Sequence, residues 1–394
     1  MTGILRSAYR KDMRYCGLNP RSAAQLGAGL ILAIVCTAAF PQHPVLKTRS
    51  KEDREERSGV THRITMNVQV MNASGDPVSD LRAEEFSLYD NHQPRRIIAF
   101  HPIDGQAQSD GTQVLILLDA VNTPAPELAS EKNAIFNYLA ESHKPLPAPT
   151  AFALWFNGHL SATSPTTDRN AIGRAFVKLT KNVHSNFCGA DQPALQQNTS
   201  GSKKDSGATA SNCRAVHFKD SIAALDGIAQ QQLTSGGRTL LIWIGSGWPS
   251  LSNDDFERLD AKQREGYTHT FTELLHDLRA AQITMYSISS GPENQQDANA
   301  AGKAVAATSS ANAEFPRIAV SEFAERTGGR SLRASTDMTA DLRTCIRDAE
   351  WYYSIAFNAP PAQNGPGEMH SLEIKVDRSG LKVRTMNSYF TEPQ

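Results

Sequence analysis

The sequence predicts an α/β protein: a doubly wound, mostly parallel sheet inserted in a small antiparallel β domain that both chain ends build together. Three observations lead there. Apolar runs without alternation recur at Val114–Leu118, Ala151–Phe156, Thr239–Ile244 and Ile283–Ile288, separated by amphipathic segments. Unbroken runs of this length read as strands buried on both faces, as in the centre of a parallel sheet. Period-two alternation instead marks residues 62–71 and 352–386, as half-buried antiparallel strands do. Each alternating set is too small to be stable by itself, so the two are expected to pair, as a β domain over 59–104 and 351–390 with the α/β domain over 110–350.

The elements follow in order. Residues 43–58 are charged and polar, a linker. His62–Met71 is a half-buried strand, and Asn72-Ala-Ser-Gly-Asp-Pro77 is a turn in which Gly75 can take positive φ. Val78–Leu81, Phe86–Tyr89 and Arg95–Phe100 are short strands or edges, with a turn at Asp90-Asn-His-Gln-Pro94. From Thr112 strands alternate with helices, expected over Glu127–Ser142, Asp168–Thr180, His217–Leu233, Thr268–Ala281, Arg317–Arg326 and Met338–Glu350. Gly328-Gly329 supplies a glycine C-cap. Gly291–Asn312 reads as a loop, and Tyr352–Phe357, Met369–Asp377 and Leu381–Met386 complete the strands.

The first 42 residues do not read as part of this fold. Arg6, Arg10, Lys11, Arg14 and Arg21 precede an apolar stretch over Ala23–Phe40 that leaves through Thr37-Ala38-Ala39. Basic, apolar, then small is the order of a secretory signal. Cleavage near Ala38 or Ala39 is expected, with retention as a membrane anchor the alternative. Forty basic residues against 41 acidic ones, interspersed, imply no nucleic-acid surface.

Export gives the cysteines their meaning. Cys16 and Cys36 lie in the leader, leaving Cys188, Cys213 and Cys345. The first two flank a polar stretch, Gln192–Asn212, within an insertion over 182–214. A Cys188–Cys213 disulfide is expected to close it in an oxidising compartment. Cys-x-x-Cys spacing is absent, which disfavours zinc. Cys345, on a helix, reads as a buried small hydrophobe.

The candidate site begins at Asp119. The run Val114–Leu118 ends on this acid, with Asn122 and Thr123 close behind. Residues just past such a strand line the crevice at the carboxyl ends of the strands, where open α/β sheets bind ligands. Oxygen-bearing side chains there suit a hard cation such as Mg²⁺. Equally, Asp119 reads as the cap of the next helix with no metal present.

Asp119 at the end of the first α/β strand resembles a von Willebrand factor A domain. More closely, the chain resembles the VWFA-related family of acidobacterial genomes. The resemblance rests on Val68–Asp90, Leu117–Thr123, Gly237–Pro249, Thr327–Arg330 and Tyr352–Phe357, in that order. It implies a metal-ion-dependent adhesion site of the Asp-x-Ser-x-Ser kind, completed by a distant Thr and a later Asp. Asp119 matches and Thr123 keeps a hydroxyl, but Val121 replaces the middle Ser and Ser246 stands for the later Asp. Asn122 compensates only in part, and the distant Thr falls near the insertion. The implied site is degenerate: Asp119, Asn122, Thr123 and Ser246 holding Mg²⁺ weakly or not at all.

Catalysis is not expected. Gly245-Ser246-Gly247 lacks the spacing of a nucleophile elbow, since Ile244 stands where the first Gly belongs. His217 and His276 lie in amphipathic helices and read as surface or core-edge residues. There is no zinc-protease motif and no phosphate loop. Trp155, Trp243 and Trp351 read as core, whereas Trp248, beside the site, reads as a ligand-binding anchor together with Asp119. The expected function is an exported binding or adhesion module for a protein or glycan, reaching a membrane only through an uncleaved N-terminal segment. A structural envelope component, or a hydrolase on the same scaffold, is the alternative.

Overall fold

The computed structural model describes residues 63–105, 111–188, 206–248, 259–289, 319–333, 337–360 and 368–391. The leader, the linker and the loop over Gly291–Asn312 lie outside these residues. The strands in chain order are β1 (Arg63–Met71), β2 (Phe86–Asp90), β3 (Gln93–Arg95), β4 (Ala99–Asp104), β5 (Gln113–Asp119), β6 (Thr150–Phe156) and β7 (His159–Ala162). Then come β8 (Thr239–Ile244), β9 (Ile283–Ser289), β10 (Ser331–Arg333), β11 (Trp351–Asn358), β12 (Met369–Val376), β13 (Lys382–Arg384) and β14 (Ser388–Phe390). The helices are α1 (Ala125–Ala140), α2 (Arg169–Thr180), α3 (Ser206–Ser235), α4 (Ala261–Ala280), α5 (Val320–Arg326) and α6 (Met338–Arg347).

A six-stranded sheet runs β10-β9-β8-β5-β6-β7. All neighbours are parallel except β6 and β7. That pair forms a hairpin through Asn157-Gly158, at φ 51° and 71°, the kind of two-residue turn that needs positive φ twice. Helices cover both faces, as continuous apolar strands require. α1, α2 and α6 pack Leu128, Ile135, Ile172, Phe176, Leu342 and Ile346 against one face. From α3, α4 and α5, Leu225, Ile228, Phe271, Leu278 and Phe323 pack against the other.

Side-chain caps fix several helix starts. Asp168 accepts from the Asn170 and Ala171 N–H groups, and Asp260 forms a capping box with Gln263. The capping box starts α4 ahead of the expected Thr268. α3 begins at Ser206, ahead of the expected His217 and within the polar stretch. No helix among the described residues is long and apolar enough to cross a membrane.

The strands from the two chain ends pair with one another. β1 lies between β11 and β13, with β4 beyond β11. A second antiparallel sheet is ordered β14-β12-β2-β3. Met66 and Val68 of β1 and Ile355 and Phe357 of β11 share one core with Phe86, Leu88, Leu372 and Ile374 of the second sheet. The expected strand at Val78–Leu81 is not formed. This stretch is irregular, and the Tyr353 hydroxyl holds it by accepting from Leu81 N and donating to Val78 O.

β1 departs from simple alternation in its second half, where Val68, Gln69, Val70 and Met71 are all buried. A polar junction with the α/β layers explains Gln69. Asp348, 0 % exposed just past α6, accepts through Oδ2 from the Tyr286 hydroxyl (2.8 Å) and from Arg384, while Arg330 lies 3.5 Å away. Its backbone carbonyl accepts from Gln69 Nε2 (2.7 Å) and from Arg238 (2.9 Å). Arg384 also donates to Gln69 Oε1 and to the Gly328 carbonyl. Burial, then the charge of Asp348, pushes the Tyr286 hydroxyl well above its ordinary range, so it stays a donor.

This junction joins β1 and β13, from the chain ends, to β9, α6 and the residue before β8. Asp348→Ala would leave the Arg384 and Arg330 charges without their buried partner, a loss of about 3–5 kcal/mol. Urea unfolding of the variant should show it as a lower midpoint; an unchanged midpoint would contradict the role given to the junction.

Candidate functional site

Strand order reverses at β5, which lies between β6 on one side and β8 on the other. The carboxyl ends of β5 and β8 therefore border the switch point, where helices lead away to opposite faces. Asp119 ends β5, and Gly245-Ser246 follows β8. The fold brings the candidate residues Asp119, Asn122, Thr123 and Ser246 together at this edge.

Asp119 is 0 % exposed. Its Oδ1 accepts from the Val121 N–H (3.0 Å) and the Asn122 N–H (2.9 Å). Its Oδ2 accepts from Asn122 Nδ2 (2.8 Å) and Trp243 Nε1 (3.1 Å). Asp119 thus caps the turn that follows β5. It does not cap the helix: α1 begins at Ala125 with Pro124 at its N-cap and no side-chain cap bond. Burial pushes the Asp119 carboxyl above its ordinary range, and the hydrogen bonds from Asn122, Trp243 and Val121 act against that shift.

The arrangement does not fit a cation. A carboxylate offers about four lone-pair directions, and four N–H groups already use them. Asn122 turns its amide N–H, not its oxygen, toward the carboxylate; Asn122 Oδ1 is buried without a partner among the described residues. Thr123 Oγ1 accepts the Ser246 N–H (3.1 Å), while Ser246 itself is exposed. Val121 brings no ligand atom. A metal would have to displace several of these bonds before gaining oxygen ligands.

Gly245 belongs to this packing. A Cβ at Gly245 would stand 2.7 Å from both Asp119 Cβ and Thr123 Oγ1, and its φ of 153° already disfavours a side chain. The β8 turn can close on the Asp119 turn only with glycine there.

The insertion is tied to the same edge. Asn186 N–H donates to the Ala120 carbonyl (3.0 Å), and the Ser185 hydroxyl donates to the Thr123 carbonyl. From α3, Ser221 Oγ accepts from Asn122 Nδ2 at 3.0 Å. Cys188 and Cys213 form the expected disulfide, joining the 185–188 segment to α3 with Cα atoms 5.9 Å apart.

Trp248 is not the exposed anchor that its sequence position suggests. It is 4 % exposed, edge-on to Trp243 with ring centres 5.0 Å apart, and near Phe323. It packs in the core beneath the edge, because the glycine turn folds it back onto α5. Trp243, expected only as core, supplies a hydrogen bond to Asp119. Ser185 and Ser221 escape a sequence reading altogether, since no local pattern marks a residue whose partner is far along the chain.

No family model matches the chain, and no curated protein matches it. Among solved structures, the crystal structure of manganese-loaded Plasmodium vivax TRAP protein aligns at 11 % identity and a TM-score of 0.34, covering 74 % of this chain and 98 % of that one. That likeness is too distant to bear on the site.

Asp119→Asn tests the bonding directly. The new amide would point N–H groups at N–H donors and leave buried donors unpaired, at a cost of about 1–3 kcal/mol. Thermal unfolding should record a loss of stability. A variant as stable as the parent, or more so, would show that the carboxylate is not held by these donors.

Proposed function

We propose that the chain is an exported, non-catalytic binding or adhesion module of the von Willebrand factor A type, inserted between the two parts of a β domain made by the chain ends. The carboxyl edge of the six-stranded sheet would meet a protein or glycan partner without a metal bridge. One observation carries this reading: at the switch point the Asp119 turn is braced by protein donors, with the 185–188 segment and α3 bonded to it. A turn braced in this way suits recognition, since little of its ordering is left to be done on binding.

The disulfide supports an oxidising, extracytoplasmic location. Ser246 lacks the elbow spacing that presents an activated nucleophile, which supports a non-catalytic role. Partner choice then rests on the shape and hydrogen bonding of the loops, and nucleic acid is not among the partners proposed.

Binding of the full chain to a glycan array and to a panel of purified surface and matrix proteins tests the reading. Retained partners should bind equally well in Mg²⁺ and in EDTA. Binding abolished by EDTA would overturn the metal-free part, and no retention at all would favour a structural envelope role.

A further inference from the structure

The disulfide has a third neighbour. His217 lies one helical turn from Cys213 on α3, so both side chains share a face. Its Nδ1 is 3.0 Å and its Nε2 3.6 Å from Cys188 Sγ, and its Nε2 is 3.9 Å from Cys213 Sγ. The ligand-capable atoms of Cys188, Cys213 and His217 all lie within 4.8 Å of one another, with Cys188 buried and the other two half-buried.

We propose that reduction of this disulfide creates a site for a thiophilic divalent cation, with Zn²⁺ the best fit, held by Cys188 Sγ, Cys213 Sγ and His217 Nε2 with water in the fourth position. The three side chains are near enough to one another for such an ion. Around tetrahedral Zn²⁺, with bonds of about 2.3 Å to sulfur and about 2.1 Å to nitrogen, sulfur and nitrogen ligands stand about 3.6 Å apart. Both separations from Nε2, 3.6 and 3.9 Å, are near that value already. The sulfur pair has to open to about 3.8 Å, which breaking the bond between them permits, and the imidazole has to turn so that Nε2, in place of the nearer Nδ1, faces Cys188 Sγ.

The chemistry balances with an external dithiol. The dithiol is oxidised to its own disulfide and leaves Cys188 and Cys213 as thiols; Zn²⁺ then displaces both thiol protons to solvent. The ion would join the same two segments as the disulfide does. The brace on the Asp119 edge would then survive in a reducing compartment. This inference does not depend on what the edge binds.

The test uses the full chain, reduced with dithiothreitol, freed of it anaerobically and titrated with Co²⁺ as a spectroscopic stand-in for Zn²⁺. The reduced chain should take up Co²⁺ with thiolate-to-cobalt charge transfer and the visible bands of tetrahedral cobalt, and Zn²⁺ should displace it. The oxidised chain should give neither band. His217→Gln should weaken uptake by at least about tenfold, as losing even an outer-sphere partner does. A Cys188→Ser, Cys213→Ser double variant should lose the charge-transfer band, which separates this site from the other thiols. Absence of the band in the reduced parent chain, its persistence in the double variant, or a smaller loss of affinity in His217→Gln would each overturn the proposal.

Discussion

A carboxylate cut off from water has to be met by donors from the protein, because leaving a buried charge uncompensated costs several kcal/mol. Two of the buried carboxylates among the described residues show how the fold answers that constraint. At Asp348 the partners come from β9, β13 and the segment before β10, so meeting one charge draws a chain-end strand onto the parallel sheet. At Asp119 they come from the turn itself and from β8, so meeting the charge sets the shape of the sheet's carboxyl edge. Both solutions tie together residues far apart in sequence.

The second solution also bears on function. Carboxylates that bind metals keep lone pairs directed at the ion, whereas Asp119 directs its lone pairs at N–H groups. Trp243 is the decisive neighbour. Its indole is a donor only, and it stands on the strand beside Asp119, where a cation would have to compete with it. The Val121 position, which has no ligand atom, fits the same picture. On the reading proposed, an edge built this way would meet its partner without an ion; its insertion is fastened to it by a disulfide and by Ser185, Asn186 and Ser221.

Much of the fold is legible in the sequence because burial on both faces leaves a plain record. Val114–Leu118 and Thr239–Ile244 carry no polar residue apart from the initial threonine, and both are central strands. The pairing of the chain ends follows from alternation in two sets that each lack partners. Other features need information the local sequence does not hold. Asn157-Gly158 is a strong hairpin signal, yet the short β7 after it has little apolar content to announce a strand. Gln69 breaks the β1 pattern because a second layer covers it, which one strand's sequence does not reveal. At the site, Asp119, Asn122 and Thr123 stand out from their place after a buried run. Trp248 misleads because a tryptophan after a glycine turn can face solvent or fold back, and only the packing against Trp243 and Phe323 decides between them.

In the reading proposed, the Asp119 edge is held by protein donors and not by a cation. Anomalous diffraction from crystals soaked in millimolar Mn²⁺ measures this most directly, since Mn²⁺ occupies oxygen-ligand sites that take Mg²⁺. The account predicts no anomalous peak beside Asp119 and a carboxylate still bonded to Trp243 Nε1 and Asn122 Nδ2. A peak there, with Asp119 and Thr123 turned toward it, would contradict the account.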